Sequence, residues 1–274
     1  MRYRFSLAYL TVMEVEPPEA VQIAADTGYQ HVGLRLWPAG TEAPFAIFTD
    51  QTVYQATQQV LAETGITVAD IEIIRLNAQF QASNTQAFLE CGAGLGAKHI
   101  LVAGDDPDLT RCTDNFAAFC ELAAQYQMTA DLEFMPWTQV PNLKTALQVI
   151  HQAQQTNAGL LIDALHFARS ASTLAELATV DPALIHYVQF CDAPLHYEHS
   201  TEGLIHTARA ERLMPGDGEL DLLSLFTAVP KGEDLVVSLE IPQKERASTV
   251  PAQQRAAEAL QKMQACLNSL NRFI

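Results

Sequence analysis

The sequence predicts a single closed (β/α)8 barrel, and three observations predict it. Eight short, nearly continuous apolar segments recur along the chain, as strands covered on both faces should read. Segments of helical spacing lie between them, and such alternation implies parallel strands joined by right-handed crossovers. The length of 274 residues suits a fold that takes roughly 250 residues as one unit.

The expected strands, in order, are Phe5–Tyr9, His31–Leu36, Val68–Leu76, His99–Ala103, Ala130–Met135, Gly159–Asp163, His186–Cys191 and Leu235–Ile241. Helical period is carried by Val53, Ala56, Val60 and Leu61 within Gln51–Thr64, and by Leu147, Ile150 and His151 within Leu143–Gln154. Turn residues close these helices before the next strand: Gly28, Gly65, Gly96, Asn157 and Gly159. Links between strands are even in length except the last, Cys191 to Leu235, which holds the segment Asp192–Gly218. A long link in a compact domain is usually functional or disordered. No linker or composition shift divides the chain, so one domain, 1–274, is expected.

Composition narrows the function classes. Acidic residues number 32 against 16 basic ones, a net charge of −16. A duplex-binding surface needs a basic patch, which this chain cannot spread, so nucleic acid is not an expected partner. Five cysteines with no C-x-x-C pair indicate neither a disulfide framework nor a zinc knuckle, but free thiols in a reducing compartment. No apolar run is long enough to span a bilayer, so no membrane association is expected. The start, with Arg2 and Arg4 before apolar residues, superficially looks like a signal peptide. It lacks a small-residue cleavage site and runs into Glu14, Glu16 and Glu19, so it reads as a first strand of a cytoplasmic protein. Gly92-Ala-Gly-Leu-Gly-Ala97 fits a dinucleotide-binding pattern but precedes a strand instead of following one, so it reads as a closely packed helix end.

Active sites of such barrels lie at the C-terminal strand ends. Strands five to eight end in Glu133, Asp163, Gln189 and Glu240, each inside an apolar run. Buried carboxylates are costly unless paired, protonated or metal-bound. Three anions in one barrel mouth repel, and a divalent cation resolves the repulsion. Neutralisation by Arg35 or Arg75, or an outward orientation of some of the four, is the competing explanation.

The segments Leu132-Glu133-Phe134-Met135-Pro136-Trp137, Asp163-Ala-Leu-His166, Gln189-Phe-Cys-Asp192, Pro215-Gly216-Asp-Gly218 and Glu240 give the chain a family resemblance over essentially its whole length. It resembles the xylose-isomerase-like TIM barrels, the sugar phosphate isomerases and epimerases. The resemblance implies one divalent metal held by Glu133, Asp163, Gln189 and Glu240, and an isomerase or epimerase acting on a small polyhydroxylated carbonyl substrate through a metal-stabilised enediolate. It implies Glu133 and Glu240 as the proton-transferring pair. The departure is Gln189, where the epimerases usually carry His. A Glu–Asp–Gln–Glu set resembles dehydroshikimate dehydratases of the same barrel, which implies dehydration (a lyase reaction) as the alternative and His166 as a candidate base. An all-oxygen set favours Mg or Mn, with Co or Zn as substitutes.

Arg35, Arg75, Arg209, Arg212 and Arg246 lie near one rim and point to an anionic substrate, since Arg grips carboxylate or phosphate bidentately. Arg212, just before Pro215-Gly216-Asp-Gly218, is the foremost candidate. The competing role is to balance Glu72, Asp192, Glu202 and Glu211. Trp137 and Phe167 are candidate pocket walls, and His196, His199 and His206 read as solvated. Two other classes compete with these. A related barrel cuts abasic DNA with several zinc ions and many His ligands, which this acidic chain lacks at its strand ends. A non-catalytic binding barrel would keep the site without turnover. Barrels of this family often pair, so a homodimer is compatible with the resemblance.

Overall fold

The computed structural model describes residues 3–230 and 234–270. Of the expected domain 1–274, residues 1–2, 231–233 and 271–274 lie outside the described residues, Arg2 among them. Eight parallel strands close into one barrel in sequence order: β1 (Arg4–Leu7), β2 (His31–Arg35), β3 (Thr67–Leu76), β4 (His99–Gly104), β5 (Thr129–Glu133), β6 (Ala158–Asp163), β7 (Tyr187–Phe190) and β8 (Val236–Leu239). β1 pairs with both β2 and β8, which completes the circle. Several ladders stop before the expected strand ends. Beyond Leu7, Glu133 and Leu239 the backbone turns into the loops that carry the pocket, and apolar runs do not record where pairing stops.

Helices cover the outside of the barrel. Gln51–Thr64 forms a helix over the expected span, ending where Gly65 takes φ 74°. Gly28 likewise closes Pro17–Thr27 at φ 93°. These left-handed positions favour glycine because a Cβ would be strained there. Within Leu143–Ala153 the buried face is Leu143, Ala146, Val149, Ile150 and Ala153. His151 is exposed, so it does not belong to the apolar stripe assigned to it from sequence. The long link after β7 is not irregular throughout. It holds the helices Thr201–Ala210 and Leu222–Ala228. The glycine-rich run ends the helix Gln86–Gly94, with Gly92 lying against Ile71 and Met128.

Side-chain alternation decides what faces the barrel axis. Phe5, Leu7, Ile71, Ala130, Leu132, Val237 and Leu239 belong to the main core between strands and helices. Their neighbours Ser6, Asp70, Glu72, Asp131, Glu133, Ser238 and Glu240 therefore face inward, and all are buried. Only a small apolar cluster, with Ile73, Leu101, Ala103, Met135, Leu161 and Tyr187, fills the axis. Barrels usually fill this space with branched apolar layers. Here much of it is polar, and the two ends of the barrel are chemically rich.

All five cysteines are unpaired. No helix among the described residues is long and apolar enough to cross a membrane. The helix Leu109–Ala124 starts from Asp108, whose carboxylate accepts hydrogen bonds from the amides of Thr110 and Arg111. Replacing Asp108 by Ala is expected to cost about 1 kcal/mol of stability, read from urea unfolding at unchanged m-value.

Candidate metal and active site

The structure brings Glu133, Asp163, Gln189 and Glu240 together at the C-terminal end of the barrel. Glu133 and Asp163 are the last residues of β5 and β6, and Glu240 follows β8 directly. The ladder sets Asp163 beside Gln189 and Gln189 beside Ser238, which holds these side chains at one level. None of the four is more than 3% exposed.

Asp163 does two jobs. It ends β6 and caps the helix Ala164–Arg169, its Oδ1 accepting the His166 amide at 2.9 Å. That cap explains the spacing Asp163 to His166, because the capped amide lies three residues on. The His166 ring is thereby carried into the site. Its Nε2 lies 3.8 Å from Glu133 Oε1 and its Nδ1 lies 3.9 Å from Asp163 Oδ1. Trp137 packs edge-on against that ring at 4.9 Å.

Arg212 is the largest departure from the sequence reading. Instead of waiting for an anionic substrate, its guanidinium is buried between two of the four expected ligands. One Nη donates to Asp163 Oδ2 at 2.6 Å and the other to Glu240 Oε2 at 2.8 Å. Its Nε donates to the Ala208 carbonyl at 2.9 Å. The backbone fixes this placement. Arg212 lies between two antiparallel bridges, Glu211 with Gln243 and Asp192 with Leu213. Asp192 in turn accepts the amides of Ala193, Gly216 and Leu220, so Pro215-Gly216-Asp-Gly218 is wrapped around its carboxylate. Asp192 is thus held by backbone, without needing a rim arginine.

The remaining donors show what the site lacks. Gln189 Nε2 donates to Glu240 Oε1 at 3.1 Å, since an ionised carboxylate can only accept. Its Oε1 is then buried without a partner, as are Glu133 Oε1 and His166 Nδ1. Three carboxylates against one guanidinium leave two negative charges. A divalent cation bound by oxygens would balance them, and the unpartnered oxygens of Glu133 and Gln189 are suited to it. Glu133, Asp163 and His166 also place one ligand atom each within 4.8 Å of one another.

Above this site opens a pocket of about 40 Å³ whose lining includes Glu72, Glu133, Trp137, His166, Arg35 and Arg209. Arg35 is paired with Glu72 and stacked over the Tyr9 ring at 4.8 Å. Arg75 is paired with Asp105 at 2.6 Å. Arg209, on the helix Thr201–Ala210, is exposed and has no carboxylate within ion-pair distance among the described residues. The part of its side chain that lies against the protein loses water, and this with the neighbouring charges of Arg75 and Arg35 pushes its pKa down. Arg246 pairs with Glu258, on the last helix and outside this pocket. Phe167 is packed in the main core and is not a pocket wall. His196, His199 and His206 are exposed, as expected. Glu72 entered the sequence reading only as a charge for an arginine to balance. The spacing Asp70 to Glu72 repeats Asp131 to Glu133, and alternation could have placed both pairs inside the barrel.

The family model described as xylose isomerase-like TIM barrel matches residues 21–266. The chain belongs to this family. Among solved structures, an IolI protein with a bound zinc atom aligns at TM-score 0.80 and 17% identity, over 95% of this chain and 96% of that one. A xylose isomerase-like TIM barrel/4-hydroxyphenylpyruvate dioxygenase fusion protein aligns at TM-score 0.79 and 20% identity, over 96% of this chain. The chain spans 42% of that fusion protein's length. D-allulose 3-epimerase from Methylomonas sp., in complex with D-allulose, aligns at 0.71 and 14% identity, over 96% and 97%. A comparison with curated protein sequences finds no match. At these identities the neighbours establish the fold.

Protonation of the site follows from its burial. Burial, reinforced by Asp163 and Glu240, raises the Glu133 pKa well above the carboxylate range. Burial, with Glu72 and Asp163 and against Arg212, pushes Glu240 up to about 7. Burial would raise Asp163 as well, but Arg212 and His166 carry it below its usual value. Burial lowers His166 to about 4, so its imidazole is neutral at neutral pH. A cation must displace the Glu240 proton. Glu133, raised as well, adds a second proton to be displaced, so affinity is expected to fall by at least roughly tenfold for each pH unit below about 7. Manganese titration calorimetry on either side of that pH checks this, and protons should be released below it.

Proposed function

We propose that this chain is a divalent-metal-dependent isomerase or epimerase of a small polyhydroxylated carbonyl compound. The observation that carries the reading is the convergence of Glu133, Asp163, Gln189 and Glu240, with two of their oxygens buried and unpartnered. These four side chains would hold the ion, and their oxygen donors favour Mg or Mn over Zn, with Co as a substitute. When bound, such an ion supplies Lewis-acid polarisation of a substrate carbonyl.

The chain's own groups do the rest. Glu133 on β5 and Glu240 after β8 stand on strands separated by β6 and β7, so they can flank a substrate between them. One, ionised, takes the proton from the carbon next to the carbonyl, and the other, protonated, delivers its own proton to the neighbouring position or the opposite face, so the pair exchanges protonation states. Neutral His166, fixed by Trp137 and the Asp163 cap, offers a further acceptor at the pocket floor. Arg209 at the mouth, with Arg35 and Arg75 beside it, suits an anionic group on the substrate. This gives Arg209 the part that sequence alone offered to Arg212.

Dehydration is the second reading, in which loss of the α-proton is followed by loss of a β-hydroxyl. The neutral Gln189 and the cationic mouth favour it. Incubation with manganese, a panel of ketoses and 3-dehydroshikimate separates the two. Solvent deuterium entering a recovered ketose marks isomerisation, and a new ultraviolet-absorbing aromatic product marks dehydration.

With either substrate, Glu133→Gln and Glu240→Gln are each expected to lower kcat by about 100-fold or more. Unchanged turnover in both variants would leave a binding barrel without catalysis. Arg209→Ala is expected to raise KM roughly tenfold for an anionic substrate, with a smaller change in kcat. Equal loss on a neutral analogue would remove the anion-binding role.

A further inference from the structure

A second group of ligating side chains lies at the opposite end of the barrel. His99 opens β4, Asp131 is in β5 two residues before Glu133, and His186 immediately precedes β7. Asp131 faces inward like Glu133, but about 6.6 Å lower along the strand. It is fully buried, whereas the His99 and His186 side chains are 17% and 21% exposed at the N-terminal rim.

The three are arranged around one point. Asp131 Oδ1 lies 2.6 Å from His186 Nδ1, and Oδ2 lies 3.8 Å from His99 Nδ1. The two imidazoles stack nearly parallel, 5.4 Å apart at 7°. One ligand atom from each residue falls within 4.8 Å of the other two. Thr129 Oγ1 donates to Asp131 Oδ2 at 2.6 Å and sits 2.8 Å from His99 Nδ1, which orients both. The space is kept open by Gly159, the register partner of Asp131 on β6. A Cβ there would run into the Asp131 carboxylate and the His186 ring. Gly159, counted in the sequence both as a turn signal and as the first residue of strand six, lies within β6, and its value there is the missing side chain.

The charge at this end is uncompensated by strong bases. Among the described residues, no Lys or Arg forms an ion pair with Asp131 or with Asp70, the register partner of His99 on β3. Asp70 is also buried, with its Oδ1 lacking any hydrogen-bond partner. A divalent cation held by neutral imidazoles would place positive charge beside the buried Asp131 carboxylate.

We propose that His99, Asp131 and His186 form a second metal site, for a zinc-type divalent cation. Two nitrogens and one oxygen make a tetrahedral set whose fourth position is open to water at the rim. Its chemistry differs from that of the upper set. Imidazole favours Zn, Co, Ni or Cu, while the oxygen ligands above favour Mg or Mn. The two ends of the barrel would thus sort metals by ligand type. The lower ion ties β4, β5 and the entry to β7, so its role is structural, in keeping with its place at the face remote from the active site.

The proposal does not depend on the reaction performed above it. Crystals of the full chain soaked in zinc sulfate, with data on both sides of the zinc absorption edge, test it without any substitution. An anomalous peak within bonding distance of His99, Asp131 and His186 is expected. A peak only beside Glu133 and Asp163, or none, overturns the site. In solution, His99→Gln and His186→Gln are each expected to lose one equivalent of bound zinc by elemental analysis. Each should lose the zinc-dependent rise in melting temperature and keep manganese binding at the upper site. Folded variants, by circular dichroism, that retain the full zinc equivalent also overturn it.

Discussion

Three carboxylates and one guanidinium, all buried within one ring of strand ends, set the terms for the rest of this molecule. Removing a charge from water costs several kcal/mol, and an ion pair repays this only with close geometry and full hydrogen bonding. Arg212 meets that condition for one oxygen of Asp163 and one of Glu240. It leaves Glu133 and the Gln189 carbonyl oxygen unanswered. An apolar filling would be cheaper at this depth. Retaining the charged set makes sense if the uncompensated remainder is what the protein uses.

The scaffold explains how such a set stays in place. Each ligating side chain stands on or beside a strand whose outward neighbours are locked into the main core, as with Leu132 beside Glu133 and Leu239 beside Glu240. The polar side chains therefore inherit the rigidity of the packing behind them. Arg212 has no strand of its own. It is held by bridges to the ends of β7 and β8, and by the turn gathered around Asp192.

Much of this was legible in the chain. Buried parallel strands are nearly pure apolar runs, so a Glu, Asp or Gln interrupting one is conspicuous, and four at strand ends marked the site. The strand count and the helix over Gln51–Thr64 followed from periodicity. What stayed hidden involves contacts between distant segments. Nothing local tells whether Arg212 faces solvent or Asp163, because its direction is set by pairing with residues 192 and 243. His99 and His186 each look like an ordinary strand beginning, and only barrel closure brings them to Asp131. Gly159 reads equally as a turn signal and as a strand start, and nothing local shows that its missing side chain makes room for Asp131 and His186.

The ten-residue helix Thr201–Ala210 occupies a particular mechanical position. It carries Arg209 to the pocket mouth, while the residues just after it, from Glu211 onward, are tied to β7 and β8. Arg169 grips the carbonyl of Leu195 on the near side. On the proposed roles, recognition and reaction groups are adjacent in the chain, and the helix touches the floor through the Ala208 carbonyl that accepts Arg212 Nε. That contact is made by backbone, so drift in the exposed side chains of the helix can alter which molecule is admitted while the carbonyl beside Arg212 stays in place. A lineage built on this arrangement can change its diet while keeping its chemistry.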